Sequence, residues 1–389
     1  MSEIKVNSIK GVGASSAAIT VNNTDGTCTA NLTNRTNKRL TINGAMTIAQ
    51  RTTSSTSEGY SVDRMNITFS GHDEAPTHSQ VDVASGTTPY TLGFRKALRI
   101  TNGNQTSGAG ATDYIQFRHS LESQDIATSG WNYASTSSFI TLTFYVKSSV
   151  AQNFYGTLRT RDGTMYAYPF ETGSLSADTW TKVTKTVPGA ASLQFDNDNG
   201  VGFDIFMWPF RGTSYTGSGA TLNQWQNWDS SEAVPDVTTT WYTTNDSTFE
   251  ITGLQLEVSD HATDFEHRSF AVEKNLCQRY YEQYDHNDTY WLCSGVYNAS
   301  TEAIFPFDYQ TEKRDAPTIT MPPGSNIILM RPNTSNAAGG TMSALNIKTR
   351  KCAFKSTSNP SSSSGGYATT MSIYNSGSGS TVLSIDAEL

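Results

Sequence analysis

Charge is scarce in this sequence: only 16% of its 389 residues are Asp, Glu, Lys or Arg. The 27 basic residues are scattered and outnumbered by 35 acidic ones, for a net charge of -8. No basic stripe therefore offers phosphates a counterion-releasing track, which argues against a nucleic-acid partner. Long apolar runs are missing, so no segment is expected to enter a membrane. The opening MSEIKVNSIKGVG lacks a basic stretch leading into an apolar one, and lacks a small-residue cleavage site, so assembly in a cytosol is expected. Cysteine is rare: Cys28, Cys277, Cys293 and Cys352 show no CxxC spacing and are too few to staple a chain of this length, so they read as buried free thiols. Helix-forming runs rich in Ala, Glu, Lys and Leu are also absent.

What is present favours strands and turns. Thr, Ser, Asn and Gly are abundant, and β-branched and aromatic residues suit a pleated surface while Gly and Asn suit tight turns. The length implies more than one core. Residues 1–51 break into short strand-like pieces with turn signals at Asp25-Gly26 and Asn43-Gly44. They hold too few large apolar residues for a core of their own, which predicts an anchoring or trimerisation segment. TTSSTSEG, residues 52–59, reads as a linker.

Residues 52–268 carry the main core. Ile140, Leu142, Phe144 and Val146 alternate with polar or aromatic neighbours, as do Val201, Phe203, Ile205 and Met207 around Asp204, Phe206 and Trp208. Phe249 and Ile251 lie on one phase and Leu254, Leu256 and Val258 on the other, so a β-bulge is expected at Gly253. Recurrent strands without helical spacers predict an all-β, antiparallel jelly-roll β-sandwich. SFAVEKNLCQRYYEQYD, residues 269–285, reads as a connecting helix within 269–287, capped by Ser269, with Phe270, Leu276, Cys277, Tyr280, Tyr281 and Tyr284 on a broad apolar face. Three chains around an axis would cover that face. Residues 288–389 return to strands and predict a small C-terminal β-sandwich, with SNAAGG and SNPSSSSGG as loops.

Several stretches resemble tail-fibre and related structural proteins of marine tailed bacteriophages. ITGLQLEVSDHATDFEHRSFAVEKNLCQRYYEQY resembles the end of their carbohydrate-binding-module-like jelly roll and the helix that follows. KRLTINGAMTIAQR with GYSVDRM resembles the entry into that domain, MSEIKVNSIKG the N-terminal anchor, and SIDAEL the chain end. The resemblance implies a virion protein, usually a homotrimer, attached by its N-terminus to a tail adaptor or nozzle, baseplate or capsid protein and facing a host-surface polysaccharide. The chain is short for a whole fibre and has no long repetitive shaft, so a short fibre, an appendage and a small tail protein all fit.

Signs of catalysis are weak. Asp73 with Glu74, Asp196 with Asp198, and Asp229 with Glu232 are neighbouring carboxylates, but solvated turns account for them as well as glycoside cleavage does. FDNDNG invites calcium, yet places Gly200 and Met207 where an EF-hand needs ligands, so a hairpin is favoured over structural calcium. His72, His78, His119, His261, His267 and His286 show no zinc spacing. GTSYTG around Ser214 is not a nucleophile elbow. No cofactor and no enzyme activity are expected. The binding candidate is the polar stretch 211–248 with Tyr215, Trp225, Trp228, Trp241 and Tyr242, which could pack on sugar rings or anchor the loop to its own sheet or to a neighbouring subunit. A second surface of Tyr290, Trp291, Tyr297 and Tyr309 faces the same choice.

Overall fold

The computed structural model describes residues 6–12, 17–22, 24, 28–30, 38–286, 291–299, 301–330, 337–357, 366–377 and 380–389. Strands β1 (Ser8–Ile9), β2 (Ile19–Val21) and β3 (Cys28–Ala30) form an antiparallel meander, and Ile9 on it is 54% exposed. The expected Asp25-Gly26 turn lies outside the described residues.

Two antiparallel sheets follow, built from β4 (Ser54–Ser55), β5 (Gly59–Val62), β6 (Met65–Ser70), β7 (Thr77–Asp82), β8 (Lys96–Thr101), β9 (Tyr114–Glu122), β10 (Phe139–Ser148), β11 (Asn153–Thr160), β12 (Tyr166–Ser174), β13 (Thr181–Pro188), β14 (Val201–Arg211), β15 (Gln226–Asn227) and β16 (Thr248–Val258). One sheet runs β13-β10-β16-β8-β7-β4 and the other β15-β12-β11-β14-β9-β6-β5. Short helices α1 (Thr88–Thr91), α2 (Ser123–Ala127) and α3 (Thr240–Thr243) lie in the connections. The alternation dictates the packing: Ile140, Leu142, Phe144 and Val146 meet Phe203, Ile205 and Met207 in one core between the sheets, all fully buried. The β10–β16 register shifts beside Gly253, whose φ is +66°, so Phe249 and Ile251 before it and Leu254 and Leu256 after it all enter that core.

Two boundaries differ from the expectation. Residues 38–50, read with the anchoring segment, lie on the sandwich: Leu40 N–H donates to the Leu256 carbonyl, Thr41 Oγ1 to that of Leu254, and Met46 is buried in the main core. Ile42, Met46 and Ile48 are buried and Leu40 half-buried, all on one phase of a weak alternation, but four apolar positions are too few to reveal in a local window what they pack against. The linker is structured too, since Ser54–Ser55 pairs with His78 and Ser79.

The connecting helix is shorter than expected. Helix α4 spans Phe270–Gln278, with Ser269 accepting the Val272 N–H, and the chain then becomes strand β17 (Tyr281–Tyr284). Tyr281 and Tyr284 therefore leave the predicted helical face, because pairing with the last strand outweighs helical propensity in this Tyr-rich run. Phe270 is 64% exposed on α4, while Cys277, Tyr280 and Tyr281 are buried by the chain itself rather than by neighbouring copies.

The C-terminal unit comprises β18 (Cys293–Ala299), β19 (Glu302–Asp308), β20 (Thr318–Thr320), β21 (Ile327–Met330), β22 (Ala337–Ala338), β23 (Thr341–Leu345), β24 (Lys351–Thr357), β25 (Ala368–Ile373) and β26 (Leu383–Asp386). A sheet ordered β22-β21-β25-β18-β19-β24-β23 packs with the sheet β17-β26-β20 around Phe305, Leu329, Phe354, Met371, Leu383 and Ile385. The predicted sandwich is present; Ala337 and Ala338 of SNAAGG, expected as loop, pair with β21 as β22, and most of SNPSSSSGG lies outside the described residues. Beyond β26 the chain returns to the central domain. Glu388 pairs with Arg51 and Arg64, and the Arg64 guanidinium lies 3.5 Å over the Tyr280 ring. Arg314 donates to the carbonyls of Ala387, Glu388 and Asn199.

Candidate functional site

The outer face of the seven-stranded sheet holds the chemistry. On β9, Ile115 and Phe117 enter the core, so Tyr114, Gln116 and Arg118 project outward. On β14, Phe203, Ile205 and Met207 point inward and Asp204, Phe206 and Trp208 outward. A register shift between Met207 and Phe210 then sends Phe210 in and Arg211 out. Arg159 on β11 projects beside them. The connection from β14 to α3 folds back over this face: Val234 is buried against Phe206 and Trp208, and Thr157 Oγ1 donates to the Ala233 carbonyl. A cleft of about 220 Å³ remains, with Tyr215 and Trp228 of that connection as walls.

Guanidinium groups and rings alternate across it. The Arg159 guanidinium lies 4.6 Å from both the Trp228 and Phe206 rings. Phe206 stacks on Trp208 at 5.1 Å, and Arg211 sits 3.8 Å over Trp208 and 5.1 Å from Tyr215, which meets Tyr114 edge-on. Each such cation–π contact contributes about 0.5–2 kcal/mol. Arg159 is paired with buried Asp204 at 2.7 Å, and Asp204 also accepts from Ser120 Oγ. Arg211 has no such acid: Nε and Nη2 donate to the carbonyls of Tyr215 and Ser230. Burial, opposed by Tyr215 and reinforced by Arg159, brings its pKa down to about 10. No Asp or Glu lines the cleft.

The structure divides the expected aromatic platform. Tyr215 and Trp228 do reach the cleft. Trp225 instead packs on Tyr168 and donates its indole N–H to the Pro188 carbonyl. Trp241 and Tyr242 are corrections: both are fully buried, Trp241 bonded to the Thr248 carbonyl and Tyr242 stacked 4.0 Å from Phe210, because α3 plugs the end of the sandwich. The second surface does not form as expected. Tyr297 and Tyr309 are core residues of the C-terminal unit, Trp291 is 56% exposed, and Tyr290 lies outside the described residues. Sequence reasoning missed Tyr114, Gln116, Arg118, Arg159, Phe206, Trp208 and Arg211 as lining residues. A signal existed in β14, where Phe206 and Trp208 occupy the phase opposite the core and so require a covered outer face.

The carboxylate candidates serve loops. Asp73 accepts from Ser107 and Thr106, Glu74 from Asn104 N–H, and Asp229 from Ser231, with the Asp73 and Asp229 pKa values lowered by these bonds. Asp198 closes a turn onto Gly200 N–H, and Asn199 of the same FDNDNG loop bonds Arg314 of the C-terminal unit. Among the described residues no three His, Cys, Asp or Glu side chains converge to hold a metal, and no helix is long and apolar enough to cross a membrane.

No family model and no curated protein matches the sequence. The structure is similar to the enzymatically active domain of tailspike protein 4 of bacteriophage CBA120, at 8% identity and TM-score 0.31, over 57% of this chain and 21% of that one. It thus spans about a fifth of that tailspike chain. It is also similar to the N-terminal cellulose-binding domain of a Cellulomonas fimi β-1,4-glucanase (10% identity, TM-score 0.26, 55% of this chain and 99% of that one). A third is the family 11 carbohydrate-binding module of Clostridium thermocellum bound to a mixed-linked tetrasaccharide (12% identity, TM-score 0.24, 54% and 99%).

Proposed function

We propose that this chain is a virion structural protein of a tailed bacteriophage, a fibre or spike subunit that binds host-surface glycan without chemistry. One observation carries the binding role: the open cleft on the outer sheet face, walled by half-buried Trp228 and Tyr215 with Gln116 and arginine donors between them. Rings supply apolar contact for sugar C–H surfaces, and the amide and guanidinium groups supply hydrogen bonds to hydroxyls. The virion role rests on the resemblance of the chain ends and domain junctions to phage fibre proteins. Attachment is through residues 1–37 to another virion protein, and a homotrimer presents three copies of a weak site, so avidity raises total affinity.

Glycan-array binding and calorimetry on the purified chain test this. Trp228→Ala should lower saccharide affinity at least about tenfold, the scale of one buried aromatic contact, while leaving the unfolding temperature near that of the parent. Light scattering should give the mass of a trimer. Absence of saccharide binding by the parent protein would support the architectural reading, a connector or decoration protein that touches only other virion components. One feature favours that rival: Arg159 and Arg211 lie over one face of Trp228 and Tyr215 respectively, which leaves a sugar only the opposite faces.

A further inference from the structure

We infer that the cleft is selective for acidic saccharides, those bearing a carboxylate or sulfate group, a reading that rests on the glycan-binding function above. The chain as a whole is acidic, at -8, yet three arginines and no carboxylate line this one concavity. Asp204 offsets a single charge and is fully buried in its bonds to Arg159 and Ser120. Glu58 lies toward the Tyr114 end and accepts the Phe69 N–H. Arg211 is 7% exposed and is answered only by two carbonyl oxygens and two rings. A buried guanidinium without an anion is costly, and Arg159 beside it adds repulsion. A ligand anion would relieve both. The planar guanidinium fork fits the paired oxygens of a carboxylate or sulfate, and Nη1 of Arg211 has no hydrogen-bond partner within the described chain. Arg118, on the neighbouring strand, donates from Nη2 to a main-chain oxygen of Leu389 and adds a second guanidinium to the lining. Ring walls hold the apolar face of the same sugar, so recognition needs both an acid group and a pyranose body. A bare anion satisfies only half of it.

The test is calorimetry of the full chain with three oligosaccharides of matched length: oligogalacturonate for carboxylate, a carrageenan oligomer for sulfate, and cello-oligosaccharide as the neutral control. At least one acidic oligomer should bind about tenfold or more tightly than the neutral one, the scale of a single charge-assisted hydrogen bond, and should weaken with added salt. The acidic oligomer that binds more tightly identifies the group. Arg211→Gln should abolish the preference by lowering affinity for the acidic oligomer about tenfold more than for the neutral one, with Arg118→Gln as a second variant should the first fail to fold. Equal or tighter neutral binding would overturn the inference and leave the glycan-binding function standing. Failure of all three, extended to the full glycan array, would overturn both.

Discussion

His119 shows how a residue too far from any motif to attract notice becomes a determinant of stability. It is fully buried beneath residues 38–50; its Nδ1 lies 3.1 Å from the Arg64 carbonyl, and its Nε2 accepts the Ile42 N–H. Burial, reinforced by the Arg64 charge, pushes its pKa down to about 3. The native state thus refuses a proton that the unfolded chain accepts near its ordinary pKa of 6.5. Stability present above that value should fall by about 1.4 kcal/mol per pH unit as pH drops through the window from 6.5 toward 3. Burial lowers His78 as well and adds the same sign, whereas buried Asp63 and Glu282, raised by desolvation, act against it. Urea unfolding of the parent and of His119→Gln at neutral and mildly acid pH isolates the term: the variant should show the flatter dependence, and parallel curves would refute the assignment. The expectation of buried free thiols holds for Cys277 and Cys352, whereas Cys293 is free but only half-buried. Cys277, Cys293 and Cys352 are free, and burial pushes Cys293 up to about 12 and Cys352 up to about 11, so both stay protonated.

At the scale of elements, the bulge in β16 was legible and the end of α4 was not. A change of hydrophobic phase at a glycine is local information, and the structure places positive φ there. A Cβ on Gly253 would stand 2.8 Å from the Phe94 ring, so Gly253→Ala combines left-handed strain with a steric clash. Gly86 also has positive φ, with open space where its Cβ would be. Gly86→Ala should cost about 1 kcal/mol and Gly253→Ala about 2–3 kcal/mol more in denaturant unfolding. Equal costs would mean that Phe94 moves freely aside. The run Arg279 to Tyr284 is different. Its Tyr spacing fits a helix face, but β26, about a hundred residues later, recruits it as a strand; pairing partners at that separation leave no mark in a local window.

For the whole molecule, the last residues decide whether two sandwiches move as one. Arg64 is 2% exposed and has Glu388 as its ion-pair partner, while Arg279 bonds Glu122 at 2.6 Å across the same seam. Removing one member of a buried pair costs about 3–5 kcal/mol. Glu388→Gln should therefore divide a single calorimetric transition into two, as the C-terminal unit uncouples; one transition at the parental temperature would show that Glu122 and Arg314 hold the seam without it. Alternation within strands determined the all-β class, the main core residues and the bulge, because inward and outward positions follow from the two-residue period alone. Only the tertiary structure decided that Trp241 and Tyr242 are core, that residues 38–50 belong to the sandwich, and which outward residues of β9, β11 and β14 share a cleft with Tyr215 and Trp228. The period tells which side of a sheet a residue takes; what lies over that side depends on a connection returning from elsewhere in the chain, a long-range packing choice that local pattern does not encode.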